Sequence, residues 1–175
     1  MLDKNFFEKK AEIVARNLLG KLLIRKIGGK KLIGKIVETE AYYDEKDPAS
    51  RACSNGDLKE TMKMDGGTIL VYGVHNNWLI NFVTGKKGKA EAVLLRAIEP
   101  LNFKAKTSGP GLLTKALSID KRFHKKNVCN CRELYLEDSF ENPVKIVSSK
   151  RVGVKKDLNK NLRFYIFGNK FVSRK

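Results

Sequence analysis

The stretch KLLIRKIGGKKLIGKIVETEAYY, residues 21–43, decides the fold. Two segments rich in β-favouring apolar residues flank Gly28-Gly29, a dipeptide that supplies the positive φ angles of a tight hairpin turn. The pattern therefore predicts two antiparallel strands joined at these glycines. The second strand ends in the motif IVETEAYYD, residues 36–44, in which Glu38 and Glu40 sit in an otherwise apolar or β-favouring segment that is followed by a pair of tyrosines.

Glu38, Glu40 and Tyr42 share one face of this strand if it is extended, because side chains alternate and same-face positions lie about 7 Å apart. An acid and an aromatic ring on one surface suit the binding of a flat ring against Tyr42 while Glu40 acts on a neighbouring atom. The alternative is an edge strand whose polar face is solvated. These residues alone leave both interpretations open.

The rest of the chain shows helix and strand patterns without a repeat or a linker. Apolar spacing predicts an amphipathic helix from Asp3 to Leu19, with Asp3 as its cap and Gly20 as its stop. The other predicted elements are a polar loop with a possible helical turn over 44–67, strands over 68–72, 78–83, 92–98, 164–167 and 171–172, turns over 73–77 and 85–89, and a short helix over 112–119. A length of 175 residues fits one globular domain.

The composition is strongly basic. Lysine and arginine total 36 against 19 aspartates and glutamates, which gives a formal net charge of +17, and such a field favours polyanions through counterion release. Nucleic acid is the first candidate partner. The main alternative explanation of the charge is a lysine-rich composition that serves solubility, and the third is binding to an anionic membrane surface. We expect a cytoplasmic protein, because no signal peptide is evident and no apolar run approaches the roughly 20 residues of a membrane span.

The cysteines give little sign of a metal or a disulfide framework. Cys53, Cys129 and Cys131 are odd in number, which agrees with a reducing compartment. Cys129 and Cys131 could suggest a metal site, but no second Cys/His pair with zinc spacing accompanies them. We therefore expect neither a metal nor another cofactor.

The paired acids are compatible with glycoside-type chemistry, in which one acid protonates a leaving group and the other activates water. The leaving group could be a nucleobase, which departs from its sugar through an oxocarbenium-like transition state. A carboxylate can both stabilise that cation and deprotonate water. This chemistry would explain why a basic surface that binds nucleic acid contains carboxylates.

Seven sequence blocks follow one another over nearly the whole chain. They are ARNLLGKLLIRK, GKIVETEAYYDEKDPAS, GGTILVY, AVLLRAIEP, SGPGLLTKAL, RVGV and LRFYIFG. In order and spacing they resemble the alkyladenine (3-methyladenine) DNA glycosylase family. The resemblance implies an α+β fold, with a single compact domain over residues 1–175 that contains a curved, mostly antiparallel sheet, flanking helices and a protruding DNA-inserting hairpin. It also implies an enzyme that flips a damaged nucleotide out of duplex DNA and hydrolyses its glycosidic bond.

The resemblance assigns roles by position. Glu40 matches the carboxylate that activates the attacking water, and Arg96 matches an arginine that helps to hold this water. Tyr42 matches an aromatic residue that stacks on the flipped base, and Val152 matches a residue that contributes main-chain contacts in the base pocket. The alternatives are a surface cation for Arg96 and plain packing for Val152. Glu38 is expected to have a structural or supporting role.

Tyr72 fits two places in the family pattern. One alignment makes Tyr72 a base-pocket residue and places Val74, His75 and Asn76 on the hairpin that inserts into the duplex, with His75 near the wedge position. The other makes Tyr72 the wedge and leaves an apolar residue of the same strand near the pocket. We prefer the first alignment, because it needs one gap. A planar side chain such as His75 can occupy the space left by a flipped base.

Arg51 departs from the family pattern, which usually has a histidine that packs on the flipped base. A guanidinium can stack on a ring, but it only donates hydrogen bonds and disfavours a base that already carries positive charge. We expect Arg51 in the base pocket. The preference among alkylated and deaminated purines stays open.

The resulting prediction is a monofunctional DNA glycosylase that uses water, and not a lysine Schiff base, as its nucleophile. Its expected partner is double-stranded DNA containing damaged bases, and we expect a monomer associated with the nucleoid. One alternative is a noncatalytic, basic nucleic-acid-binding protein on the same fold. Another is an RNA-associated protein, for which the sequence lacks a ribonucleoprotein signature.

Overall fold

The computed structural model describes residues 1–139 and 145–174. The helices are α1 (Lys4–Phe7), α2 (Ala11–Leu18), α3 (Asp57–Met62) and α4 (Pro110–Ala116), with 3-10 helices at Arg51–Cys53 and Lys121–Phe123. The strands are β1 (Leu22–Ile27), β2 (Lys30–Tyr42), β3 (Ile69–Val74), β4 (Asn77–Val83), β5 (Ala92–Pro100), β6 (Leu134–Glu137), β7 (Ile146–Ser149) and β8 (Arg163–Ile166). They form a single compact α+β domain, as predicted.

One curved antiparallel sheet contains all eight strands of the described residues. Its main path runs β3-β4-β5-β2-β1-β6, and β8 pairs with both β2 and β7. The long strand β2 is central, because its first half pairs with β1 and its second half pairs with β8, while β5 lies along its other edge. The predicted hairpin is confirmed, with Gly28 and Gly29 at φ angles of 55° and 72°.

A hydrophobic core fills the space between the sheet and the flanking helices. Phe7, Val14 and Leu18 of the first two helices are fully buried against strand residues such as Phe82 and Phe164. The opposite side of β2 from the two glutamates also faces this core. There, the hydroxyl of Thr39 donates to the carbonyl of Ala15 at 2.8 Å and ties β2 to α2. The core thus fixes the orientation of the strand that carries both acids.

The amino-terminal helix is shorter than the sequence predicts. Asp3 caps α1 as expected, but the single helix predicted over 3–19 is two helices separated near Lys10, whose ψ of 145° is extended. The second helix starts where the Ala11 amide donates to the carboxylate of Glu91 at 2.8 Å. This cap comes from a residue 80 positions away, so local spacing could not reveal it. Gly20 ends the segment at a φ of 87°, as predicted.

Three other predictions differ from the structure. Residues 171–172 are not a strand, because the Phe171 and Val172 amides bond back to Asn169 in a turn. The strands β6 and β7 were not predicted, and each is only four residues long. The turn predicted over 73–77 is narrower, since β3 and β4 pair up to Val74 and Asn77. His75 and Asn76 alone form the turn, with φ angles of 47° and 61°.

Candidate active site

An open cavity of about 660 Å³ lies at the carboxyl end of β2. It is bordered by the end of β2, the loop after it, the β3–β4 hairpin, β5, the start of α4 and the segment 152–156. Seven of the residues predicted for the site line it: Tyr42, Arg51, Tyr72, Val74, His75, Arg96 and Val152. The fold therefore brings together residues that are up to 110 positions apart in the sequence.

Glu40 lies directly behind the wall of this cavity and is fully buried. Its Oε1 accepts a hydrogen bond from the backbone amide of Val152 at 2.7 Å, and its Oε2 accepts one from the hydroxyl of Tyr42 at 2.7 Å. The Nε of Arg96 lies 3.4 Å from Oε1. A carboxylate offers about four lone-pair sites, so Glu40 retains capacity to accept a hydrogen bond from a water molecule.

Burial dominates the ionisation of Glu40. Loss of solvation raises the pKa of this carboxyl above its ordinary value, although Arg96, the Val152 amide and the Tyr42 hydroxyl each favour the charged form. Burial and the neighbouring charge of Glu40 also raise the pKa of Tyr42, so its hydroxyl remains a donor to the carboxylate. A carboxyl with a raised pKa is better matched to accept a proton near neutral pH than a solvated one.

Glu38 is also fully buried and shares Arg96 with Glu40. The Nε of Arg96 donates to Oε1 of Glu38 at 2.9 Å, and the Nε of Arg163 donates to the same oxygen at 2.7 Å. Ser173 adds its backbone amide to Oε2 at 2.6 Å and its hydroxyl to Oε1 at 2.8 Å. Burial by itself raises the pKa of Glu38, but the Ser173 amide and the two arginines outweigh it and hold the pKa below its ordinary value.

The contacts of the two glutamates exclude two alternatives raised by the sequence. Glu38 and Glu40 do not form a solvated edge, because β2 is paired on both sides and both side chains are buried. Arg96 is not a surface cation, since it is 7% exposed and contacts both carboxylates. It joins Glu38, which is tightly fixed, to Glu40, which can still accept a further hydrogen bond.

Sequence reasoning missed an arginine that supports the wall of the cavity. Arg151 is buried and makes two hydrogen bonds of 2.7 Å to the carboxylate of Asp47. Its guanidinium also lies 4.5 Å from the ring centroid of Tyr42 and donates to the carbonyl of Ala41 at 3.0 Å. Asp157 binds the same guanidinium. This cluster holds Tyr42 and the loop after β2 against the segment that carries Val152.

Arg51 and Tyr72 form another part of the cavity wall. The guanidinium of Arg51 lies 4.7 Å from the ring centroid of Tyr72. Tyr72 is on β3, paired with Leu79 of β4, and both side chains line the cavity. A small recess beneath them is bordered by Tyr42 and by the buried Asn81, which sequence reasoning did not single out.

The tip of the β3–β4 hairpin stands at the edge of the cavity. His75 and Asn76 are both exposed, and His75 borders the cavity, whereas Asn76 borders a neighbouring groove. The start of β4, directly after this tip, packs on α4, where a Cβ at Gly111 would lie 2.8 Å from that of Asn77. Only a glycine permits this approach, which explains one position of the Gly-Pro-Gly block. Lys155 and Lys156 add positive charge to the rim.

The described residues contain no group of three His, Cys, Asp or Glu side chains that could hold a metal ion. All three cysteines are free thiols. No described helix has the length and apolar character needed to cross a membrane.

The chain is similar in sequence to known proteins. The sequence profile of the family described as methylpurine-DNA glycosylase (MPG) matches residues 5–170. A protein of Borrelia garinii subsp. bavariensis is 42% identical over 188 residues, with 99% of this chain and 100% of the relative covered. A protein of Aeropyrum pernix is 40% identical (99% and 93% covered), and one of Clostridium beijerinckii is 37% identical (100% and 100%). All three carry the provisional name 3-methyladenine DNA glycosylase.

Proposed function

Because the chain belongs to the methylpurine-DNA glycosylase family, and is thus a DNA repair glycosylase for alkylated bases, we propose that it flips damaged purines out of duplex DNA and hydrolyses their N-glycosidic bond. The proposal includes deaminated as well as alkylated purines. It treats residues 1–175 as one glycosylase domain that acts as a monomer on double-stranded DNA, in the cytoplasm at the nucleoid, and that needs no cofactor.

The observation that carries the mechanism is the position of Glu40 behind a wall formed by Tyr42, Arg96 and Val152. In the proposed reaction Glu40 takes a proton from water, whose oxygen bonds to C1′ of the sugar. The bond between C1′ and the base nitrogen breaks, and its electron pair leaves with the base. The negative carboxylate also stabilises the positive charge that develops on the sugar. The product is an abasic site.

Each side of the cavity has a part in this reaction. Tyr42 stacks on one face of the flipped base, while Tyr72 and Arg51 stack on the other. Arg96 orients the attacking water beside Glu40, and the amide of Val152 fixes the carboxylate through its 2.7 Å hydrogen bond. The hairpin residues Val74, His75 and Asn76 enter the duplex, where His75 occupies the space left by the flipped nucleotide.

The test is single-turnover release of base from duplex oligonucleotides that contain ethenoadenine, hypoxanthine or a methylated purine, with abasic sites revealed by alkali. Glu40→Gln retains the shape of the side chain but cannot accept the proton. We expect its rate to fall by about 10²–10⁴, the usual contribution of a general base, while its affinity for lesion DNA persists. Equal rates for the two proteins would contradict the role of Glu40. Binding without release from any lesion would indicate a noncatalytic DNA-binding protein.

A further inference from the structure

Three arginines line or support the cavity, and they differ in how their charge is compensated. Arg96 contacts Glu38 and Glu40, and Arg151 is bound by two aspartates. The guanidinium of Arg51, by contrast, has no carboxylate within ion-pair distance among the described residues, and it stacks on Tyr72. The part of the cavity wall formed by Arg51 and Tyr72 therefore carries a positive charge that no described carboxylate offsets.

The backbone that carries Arg51 is held in place. Asp47 accepts hydrogen bonds from the amides of Tyr43 and Ala49, besides binding Arg151. The hydroxyl of Ser50 then accepts the amide of Ala52 at 3.1 Å and starts the 3-10 helix at Arg51. The charge is thus presented at a defined place, next to the recess between the two tyrosines.

A base held between Tyr42 and the Arg51–Tyr72 pair meets a cation on one face. Two positive charges repel each other, and the repulsion grows as DNA excludes water from the cavity. The face of Tyr72 on which Arg51 stacks is likewise unavailable for a cation–π contact with a charged base. A guanidinium also donates hydrogen bonds without accepting any, so it matches base edges that present acceptors.

We propose that Arg51 makes the enzyme selective for neutral purine lesions, such as ethenoadenine and hypoxanthine, over purines that carry a fixed positive charge through methylation. The inference rests on the proposed function, because it assigns a substrate class to the same cavity. Arg51 acts by contact with the base and leaves the activation of water to Glu40.

The experiment compares single-turnover base release from one duplex sequence containing either ethenoadenine or 7-methylguanine, corrected for release without enzyme. Arg51→Gln and Arg51→Met remove the charge with two different side chains, and Arg51→Lys keeps it. We expect the ratio of the ethenoadenine rate to the 7-methylguanine rate to fall at least about tenfold in the neutral variants. Arg51→Lys should keep the ratio within about threefold of the unmodified protein.

Lys155→Gln is the matched control for charge at the cavity rim. We expect it to lower both rates by a similar factor, because a rim lysine attracts phosphate whatever the lesion. An unchanged ratio in both neutral variants, or equal loss of both rates, would overturn the inference and leave the proposed function intact. If the unmodified protein released neither ethenoadenine nor 7-methylguanine, the proposed function would be overturned, and the inference with it.

Discussion

Glu38 and Glu40 are two residues apart on the same face of β2, yet their surroundings differ in kind. Glu38 accepts four hydrogen bonds, from Arg96, from Arg163 and twice from Ser173. Glu40 accepts two, from Tyr42 and Val152, and lies 3.4 Å from Arg96. Both carboxylates are shielded from solvent, and Glu40 is the more deeply buried of the two.

The number and charge of the donors decide the ionisation of each acid. At Glu38 they outweigh the loss of solvation and lower the pKa, whereas at Glu40 the loss of solvation prevails and raises the pKa. The comparison shows how one strand can supply both a fixed anion and a proton acceptor. Glu38 holds Arg96, and Arg96 in turn lies against Glu40, so the anchor and the reactive group are coupled through one guanidinium.

The largest difference we expect is in stability. Glu38→Gln leaves the buried Arg163 without its carboxylate partner and leaves Arg96 with Glu40 alone, and loss of one member of a buried ion pair costs about 3–5 kcal/mol of unfolding free energy. Glu40→Gln is expected to retain or increase the unfolding free energy at neutral pH, because it removes a buried charge that the native state disfavours. Denaturant unfolding of both variants measures the difference. Equal destabilisation of the two would contradict the assignment of an anchor and a reactive acid.

The pH dependence of stability should have opposite signs for the two acids. The lowered pKa of Glu38 means that its contribution is present above the ordinary value of 4.5 and is lost as the pH falls through the folded-state pKa. The raised pKa of Glu40 gives a contribution that is present below 4.5 and is lost as the pH rises through the folded-state pKa. Unfolding at several pH values should therefore show the deficit of Glu38→Gln shrinking on acidification.

The set of donors that surrounds Glu38 was beyond sequence analysis, although much of the fold was not. The β1–β2 hairpin could be predicted because glycine turn chemistry and β-rich segments are local. The seven-block resemblance led to Glu40, Tyr42, Arg96 and Val152. Side-chain alternation placed Glu38 and Glu40 on one face of the strand, but it does not predict which residues donate hydrogen bonds to them.

The residues that were missed are joined over long distances. Arg163 and Ser173 reach Glu38 across 125 and 135 positions, and Arg151 reaches Asp47 across 104. Arg151 and Arg163 both stand within the recognised blocks RVGV and LRFYIFG. Arg151 and Arg163 were therefore the available sign of buried ion pairs, because an arginine in an apolar segment requires a partner if it is buried. The partner itself depends on tertiary packing.

The role of Glu40 in catalysis can be tested by removing the Tyr42 hydroxyl, which donates to Oε2 of Glu40. Base release needs ionised Glu40, so the rate should fall about tenfold per pH unit below its raised pKa. Tyr42→Phe keeps the ring for stacking but removes a hydrogen bond to the charged form. We expect this variant to move the acidic limb of the rate profile to higher pH by about one unit, equivalent to roughly 1.4 kcal/mol.

Tyr43→Phe is the matched control for that profile, because the hydroxyl of Tyr43 donates to Glu12 and not to the site. Its acidic limb should coincide with that of the unmodified protein. A Tyr42→Phe profile with an unmoved limb would show that the group titrating in the rate is not Glu40. A limb that moves equally in both variants would point to a general effect of the tyrosines on the fold.

The smallest effect we expect concerns the hydroxyl of Ser173, which donates a hydrogen bond to Glu38. Ser173→Ala removes the 2.8 Å hydrogen bond to Glu38 and the 3.2 Å hydrogen bond that the hydroxyl accepts from Arg96, but it leaves the backbone amide bond in place. We expect a loss of about 1 kcal/mol of unfolding free energy, because each of the two bonds is worth about 0.5 kcal/mol at the lower end of the usual net range, with the exposed Ser54→Ala as control. The acidic limb of base release should stay where it is, since Arg96 remains bound to Glu38 at 2.9 Å. A shift of the acidic limb would instead show that Ser173 affects the pKa of Glu40 through Arg96, and that the ionisation of the two acids is coupled.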